Sequence, residues 1–137
     1  MYPSLAACAA TPWDGAITRI GRLANPVQIE FEHGRAVEIR GGTEADQRRR
    51  LLASLDDPNA YDFAAWGMGT NPGADLSDPE PSFEGERVYR WAHLSTGSNA
   101  TLPGGTVSAR IHLDLILTDP VVELDGEVIL RDREFAP

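Results

Sequence analysis

The sequence contains no lysine, since all 12 of its basic residues are arginine, and these stand against 21 acidic residues. The absence of lysine excludes mechanisms that need a side-chain amine nucleophile, a Schiff base or a phosphate-loop lysine. The shortage of basic residues leaves a net charge of −9, which repels nucleic-acid phosphates and anionic lipid surfaces. We therefore expect a small-molecule substrate, and neither nucleic acid nor membrane as a partner.

Cysteine is scarce as well, because Cys8 is the only one. A single cysteine cannot form an internal disulfide, which argues against the chemistry of small secreted proteins, so we expect a cytoplasmic location. Residues 5–8 resemble a lipoprotein cleavage box but lack the basic and apolar segments of a signal peptide. No apolar run reaches the length of about 18 residues that a transmembrane helix needs.

The length and composition are those of one globular domain. A chain of 137 residues with 42% hydrophobic and 24% charged residues can bury one core, so we expect a single domain over residues 1–137. One helix is predicted to begin near Thr43, where Asp46 three residues later approximates a capping box. Leu51, Leu52 and Leu55 form its apolar stripe before Pro58 ends it.

Apolar and polar residues alternate along several segments, which predicts β-strands. Residues 26–40 alternate around His33-Gly34, which predicts a hairpin whose second strand buries Val37 and Ile39. A closing hairpin is expected over residues 121–130 around the turn Asp125-Gly126. The pattern indicates an α+β fold with a mainly antiparallel, curved or barrel-like sheet and one or two helices.

The clearest strand spans residues 107–117, where odd positions are apolar and His112 and Asp114 lie on the polar side. Residues two apart in a strand point the same way, so these two side chains share one face. Residues 88–94 also alternate, with Tyr89, Trp91 and His93 on one face. Two histidines and one carboxylate form a three-sided donor set, typical of non-haem iron(II) enzymes and compatible with catalytic zinc. An ordinary solvated strand face explains the same pattern.

A longer motif supports the interpretation as a metal site. The segment Trp66-Gly67-Met68-Gly69-Thr70-Asn71-Pro72-Gly73-Ala74 is followed by His93, then by Gly104-Gly105, and last by Ser108-x-x-x-His112-x-Asp114. In order and spacing this resembles the C-terminal domain of the thermophilic aminopeptidase T and S family, over nearly the whole chain. The family's N-terminal α/β domain has no counterpart here.

The resemblance implies metal binding by His93, His112 and Asp114, which match the family's two histidines and aspartate. The other family positions differ, because Ala65 stands where a glutamate is expected and Ala100 where a tyrosine is expected. The first glutamate of the family also has no counterpart. A two-metal centre needs bridging carboxylates, so the resemblance with these losses implies one metal at most and makes peptide hydrolysis improbable.

A relative in the same superfamily, 2,5-dihydroxypyridine 5,6-dioxygenase, uses one iron to open an aromatic ring, and it suits the residues that remain. We therefore expect a mononuclear enzyme that holds one divalent metal, Fe(II) in the first place and Zn(II) as the alternative, and acts on a small aromatic or conjugated molecule. The expected substrate-binding residues are Trp66, Asn71, Tyr89, Trp91, Ser108 and Arg110. Core packing explains the aromatic residues equally well.

Two other functions remain open. The chain could be a metal-free cyclase, isomerase or binding domain in which His93 and Asp114 act as acid and base or as hydrogen-bond partners. It could also be a zinc hydrolase, whose activity would persist without oxygen. A domain without its usual partner half exposes apolar surface, so a homodimer is expected.

Overall fold

The computed structural model describes residues 12–75 and 85–137. Cys8 and the segment around it lie outside these ranges. The described residues form eleven strands, one α-helix and one short 3-10 helix. Their bounds are β1 (Pro12–Trp13), β2 (Ala16–Ile17), β3 (Gly21–Arg22), β4 (Val27–Glu32), β5 (Arg35–Arg40), α1 (Thr43–Ser54), the 3-10 helix (Pro58–Tyr61), β6 (Phe63–Met68), β7 (Ala92–Gly97), β8 (His112–Leu117), β9 (Val122–Leu124), β10 (Glu127–Arg131) and β11 (Glu134–Phe135).

The strands form three antiparallel sheets. The largest has five strands in the order β3-β2-β8-β7-β6, and two three-stranded sheets have the orders β1-β4-β5 and β11-β10-β9. One hydrophobic cluster joins the large sheet, through residues such as Leu94 and Leu115, to Val27 and Ile29 of β4 and Leu52 of α1. The core therefore lies against one face of β7 and β8 and leaves their other face for the candidate site. The predicted α+β class, with curved antiparallel sheets, is confirmed.

The hairpin predicted over residues 26–40 forms as β4 and β5, and its turn residues His33 and Gly34 both have positive φ angles, 49° and 79°. The first half of the second strand is out of phase with the prediction, whereas Ile39 is buried as predicted. The pairing shifts between Glu30–Phe31 of β4 and residues 36–38 of β5, which makes Val37 an extra, bulged residue. Ala36 takes the buried position, and Val37 is exposed.

The helix α1 forms where it was expected, but the predicted capping box is wrong. Its N-cap is Gly42, with no side-chain cap, and Thr43 is already the first helical residue. The predicted leucine stripe faces the core, with Leu52 buried and Leu51 and Leu55 partly buried against it, and the buried side also includes Ala45 and Arg48. The Arg48 guanidinium is fully buried, and Nη2 donates a 2.8 Å hydrogen bond to Thr96 Oγ1 of β7.

Two predicted strands are shorter than the alternation suggested. β8 begins only at His112, and β7 only at Ala92. Arg110 is held outside the sheet, because its backbone N–H donates to Asp57 Oδ2 at 2.7 Å and its guanidinium to the Leu55 carbonyl at 3.1 Å. Residues 88–91 form a turn in which Arg90 has a φ of 70°. The alternation of apolar and polar residues in the sequence therefore extends beyond the residues that pair in the sheet.

The predicted closing hairpin is confirmed as β9 and β10, with Asp125 and Gly126 at φ angles of 52° and 85°. These angles are the ones that a two-residue hairpin turn needs. Within residues 12–75 and 85–137, no helix is long and apolar enough to cross a membrane.

Candidate functional site

The central strands β7 and β8 place four polar side chains on one face of the large sheet. Ser95 pairs with Asp114, Gly97 with His112, and His93 with Ile116. Paired residues and residues two apart share a face, so His93, Ser95, His112 and Asp114 project together, and we call these four residues the polar face. The alternate residues of both strands project into the core.

His112 is oriented by the loop before it. Its Nδ1 lies 2.6 Å from the carbonyl oxygen of Ser98, and an N–H at Nδ1 donates to that oxygen. The other nitrogen, Nε2, then points towards Asp114, whose Oδ1 lies 3.3 Å away. The hydrogen bond with Asp114 raises the pKa of His112 above its ordinary value, against the opposing effect of burial. A backbone carbonyl on one imidazole nitrogen is the usual way that proteins orient the other towards a ligand.

Asp114 lies at the centre of the polar face, with only 8% of its surface exposed. The Ser95 hydroxyl donates a 2.5 Å hydrogen bond to Asp114 Oδ1. Burial alone would raise the pKa of Asp114, but the hydrogen bonds from His112 and Ser95 outweigh it and hold the pKa below its ordinary value. Asp114 is therefore a carboxylate at neutral pH, as a ligand or a base must be.

His93 lies on the other side of Asp114, two residues along β7 from Ser95. Its ring packs directly over Gly67 of β6, where an added Cβ would lie 2.6 Å from His93 Cε1. Burial lowers the pKa of His93, although the charge of Asp114 partly opposes this, so the ring is neutral at neutral pH. Its Nε2 lies 4.0 Å from Glu86 Oε2, and a hydrogen bond with the Glu86 backbone also opposes the lowering of its pKa.

These donors suit a divalent cation by type, because imidazoles and carboxylates are common ligands of iron and zinc. Two donors each about 2.1 Å from a tetrahedral cation lie about 3.4 Å apart. The 3.3 Å between His112 Nε2 and Asp114 Oδ1 fits that spacing. His93 lies further away, and in the part of the chain that the structure describes no three His, Cys, Asp or Glu side chains are grouped closely enough to hold a metal.

The structure places the other expected site residues as follows. Trp66 pairs with Leu94, so it projects from the face opposite His93, and it is 45% exposed. Asn71 lies in an isolated bridge with Val88, outside the large sheet. Ala65, where the resemblance expected a glutamate, pairs with Ser95 and so lies beside the polar face.

Tyr89 packs against Phe135, with ring centroids 5.6 Å apart, and the Arg90 guanidinium lies over its ring. Trp91 is half-buried and leads directly into β7, and within residues 12–75 and 85–137 its indole N–H has no hydrogen-bond partner. The backbone carbonyl of Ser108 accepts a hydrogen bond from Asn59.

Arg110 is held near the end of α1 by its contacts with Asp57 and the Leu55 carbonyl, and its expected contact with substrate stays a prediction. The structure thus brings His93, His112 and Asp114 onto one face, whereas Trp66 and Arg110 lie elsewhere.

Two residues near these side chains were not expected from the sequence. Ser95 could have been found, because it lies two residues after His93 in the same strand. Glu86 gives no comparable signal, because it lies in the irregular segment before β7 and reaches His93 only through the tertiary fold.

Comparisons with known proteins agree on one family. The model of the family 2,5-dihydroxypyridine 5,6-dioxygenase matches residues 12–137. The 2,5-dihydroxypyridine 5,6-dioxygenase of Pseudomonas putida KT2440 is 29% identical over 119 residues, which cover 81% of this chain and 34% of that protein. A solved structure of the 2,5-dihydroxypyridine dioxygenase from the same strain has a TM-score of 0.80 at 24% identity and shows the same fold.

That structural match covers 90% of this chain but only 38% of the solved chain. The chain thus spans about a third of the length of the relatives it matches. Since the family model extends over all of the large sheet and both strands of the polar face, the chain belongs to the 2,5-dihydroxypyridine 5,6-dioxygenase family.

Proposed function

We propose that this chain carries the metal-binding side chains of a dioxygenase-type enzyme that acts on a small aromatic molecule. One observation carries the proposal: His112 Nε2 is directed at Asp114 by the Ser98 carbonyl, on the face that also bears His93. This arrangement occurs in a chain of a dioxygenase family. The proposed ligands of one Fe(II) ion are His93, His112 and Asp114.

Iron(II) bound by two imidazoles and one carboxylate would leave open positions for oxygen and for an organic substrate. The chain's own residues prepare the ligands. Ser98 fixes the His112 ring, Ser95 holds the Asp114 carboxylate, and Gly67 leaves room for the His93 ring. The contacts to His112 and Asp114 are of the kind that surrounds functional metal ligands and sets their protonation and orientation.

The remaining expectations from the sequence stay predictions. The aromatic residues Tyr89 and Trp91 stay predicted substrate contacts, because the segment that carries them leads into β7. Kinship with the aminopeptidase T and S family, a homodimer and a cytoplasmic location also stay predictions from the sequence.

Anaerobic titration of metal-free protein with Fe(II), followed by calorimetry, tests the proposal. We expect one cation to bind per chain and His112→Ala to abolish binding. The matched control is His33→Asn, which removes an exposed histidine from the β4–β5 turn and keeps a residue that tolerates positive φ. A wild-type protein that binds no divalent cation would sink the proposal, and oxygen-independent activity with Zn(II) would replace it with a hydrolase.

A metal-free cyclase, isomerase or binding domain is the second candidate. The separation of His93 from the His112–Asp114 pair favours it, because acid–base chemistry needs no common point of convergence. Activity that persists at full rate in the presence of a strong chelator would support this candidate over the iron enzyme.

A further inference from the structure

The loop between β7 and β8, residues 98–111, contacts the polar face through Ser98. The Ser98 carbonyl oxygen lies 2.6 Å from His112 Nδ1. The Asp114 carboxylate competes for the same ring, because its Oδ1 lies 3.3 Å from His112 Nε2. Both oxygens are hydrogen-bond acceptors, so the position of the Ser98 carbonyl decides which nitrogen of the neutral ring carries the proton.

The residue after Ser98 is a buried asparagine that uses both ends of its side-chain amide. Asn99 is only 6% exposed. Its Nδ2 donates a 3.1 Å hydrogen bond to the Ala64 carbonyl of β6, and its Oδ1 accepts a 2.8 Å hydrogen bond from the Val107 N–H. This side chain therefore joins the start of the loop both to the strand β6 and to the returning half of the loop.

The backbone of Asn99 is enclosed as well. Its N–H donates to the Val107 carbonyl at 3.0 Å, and its carbonyl accepts from the Leu102 N–H at 2.9 Å. Gly105 approaches so closely that an added Cβ would lie 1.8 Å from the Asn99 carbonyl oxygen. Gly105 does not have a positive φ, so this contact, and not backbone conformation, is what requires a glycine there. The second glycine of the pair Gly104-Gly105 thus makes room for Asn99.

We infer that Asn99 is a positioning residue, which together with Gly105 holds the Ser98 carbonyl against His112 Nδ1 and so keeps the proton off Nε2. Asn99 acts through the backbone of its neighbour Ser98. As a contribution to metal binding this inference rests on the proposed function, because a cation binds the unprotonated Nε2. The effect of Asn99 on the imidazole itself does not depend on a metal.

The experiment is Asn99→Ala, measured by the ring-nitrogen NMR chemical shifts of His112 in metal-free protein. Spectra are recorded at a pH at which the imidazole is neutral, and His112→Ala identifies the signals of this ring among the three histidines. In the wild type we expect the proton on Nδ1. In Asn99→Ala the Ser98 carbonyl is released, so we expect the proton on Nε2, where the Asp114 carboxylate accepts it.

The matched control is Asn59→Ala. The Asn59 side chain donates a 3.0 Å hydrogen bond to the Ser108 carbonyl, so this variant loses a comparable contact with the same loop at a distance from Ser98. We expect wild-type ring signals in this control. Gly105→Ala displaces Asn99 without altering it and covers the case in which Asn99→Ala does not fold. For this variant too we expect the proton on Nε2.

Two results overturn the inference: wild-type ring signals in folded Asn99→Ala or Gly105→Ala, and a wild-type ring that already carries its proton on Nε2. Calorimetric titration with Co(II) measures the consequence for binding. We expect Kd to rise by about tenfold in Asn99→Ala and to stay unchanged in Asn59→Ala. An unchanged Kd in Asn99→Ala overturns the role in binding. If the wild type binds no cation, the proposed function is wrong, whereas the ring signals still decide how Asn99 acts on His112.

Discussion

At the scale of single residues, Asp114 is the centre of the polar face. It receives a hydrogen bond from Ser95 and contacts His112, so its charge and orientation depend on both neighbours. The bond from Ser95 favours the carboxylate form, which is the form that binds a cation. Ser95 therefore acts through Asp114, as a positioning residue.

Ser95→Ala tests this role. We expect the pKa of Asp114 to rise and the Kd for Fe(II) to increase by roughly tenfold, because contacts behind a metal ligand typically contribute one to two orders of magnitude. Calorimetry at two pH values measures both effects, with a larger loss at the lower pH. Ser54→Ala, which removes an exposed hydroxyl at the end of α1, is the control. Equal affinities for Ser95→Ala and the wild type would contradict the role of Ser95.

At the scale of elements, the contact between β6 and β7 sets the place of His93. Gly67→Ala puts a methyl group 2.6 Å from His93 Cε1, and the imidazole must move. We expect a loss of roughly 1 to 3 kcal/mol in the free energy of unfolding, typical of overpacking, and weaker metal binding. Chemical denaturation and the metal titration measure the two effects. Gly73→Ala, where the nearest atom would lie 3.4 Å from the new Cβ, should behave like the wild type.

The helix α1 contains a buried positive charge, the guanidinium of Arg48. Arg48 Nη2 donates a hydrogen bond to Thr96, and among the described residues its Nε and Nη1 are buried without partners. Burial lowers the pKa of Arg48 to about 10 from 12.5. That shift corresponds to a cost on the order of 3 kcal/mol for keeping the side chain charged. The cost applies at neutral pH and disappears as the pH rises through the lowered pKa.

Arg48→Met removes this cost and loses one hydrogen bond, which contributes roughly 1 kcal/mol. The cost of burying the charge is larger than the contribution of this hydrogen bond. We therefore expect the free energy of unfolding to stay the same or to rise, as for other buried ions replaced by apolar side chains. Urea denaturation at neutral pH measures this. Arg50→Met, on the exposed side of α1, should change stability by less than about 0.5 kcal/mol. A loss of several kcal/mol in Arg48→Met would show that the guanidinium has further partners.

At the scale of the whole molecule, a cation that binds only the folded chain stabilises all of it. At a free concentration of about 100 times Kd the gain is about 2.7 kcal/mol, which raises the Tm of a domain of this size by roughly 10 °C. Calorimetric melting with Fe(II) and with excess chelator measures the difference. The shift should vanish in His112→Ala and persist in His33→Asn, and equal shifts in both variants would place the cation elsewhere.

Local patterns in the sequence were sufficient for much of this fold. The turns at His33-Gly34 and Asp125-Gly126 and the apolar alternation of β8 predicted two hairpins and a central strand, because turn conformation and side-chain alternation are local properties. These local patterns failed where the register with a neighbouring strand decides which side chains are buried. The bulge at Val37 inverts the start of β5, and only the partner strand β4 defines it.

The candidate site shows the same division. By itself the sequence determined that His112 and Asp114 share a face, because strand geometry places residues two apart on one side. Only the tertiary structure decided that His93 and Ser95 lie on that face, that Trp66 projects from the other one, and that Glu86 approaches from outside the sheet. Strand register and the packing of irregular segments depend on partners distant in the chain, and a local pattern does not encode them.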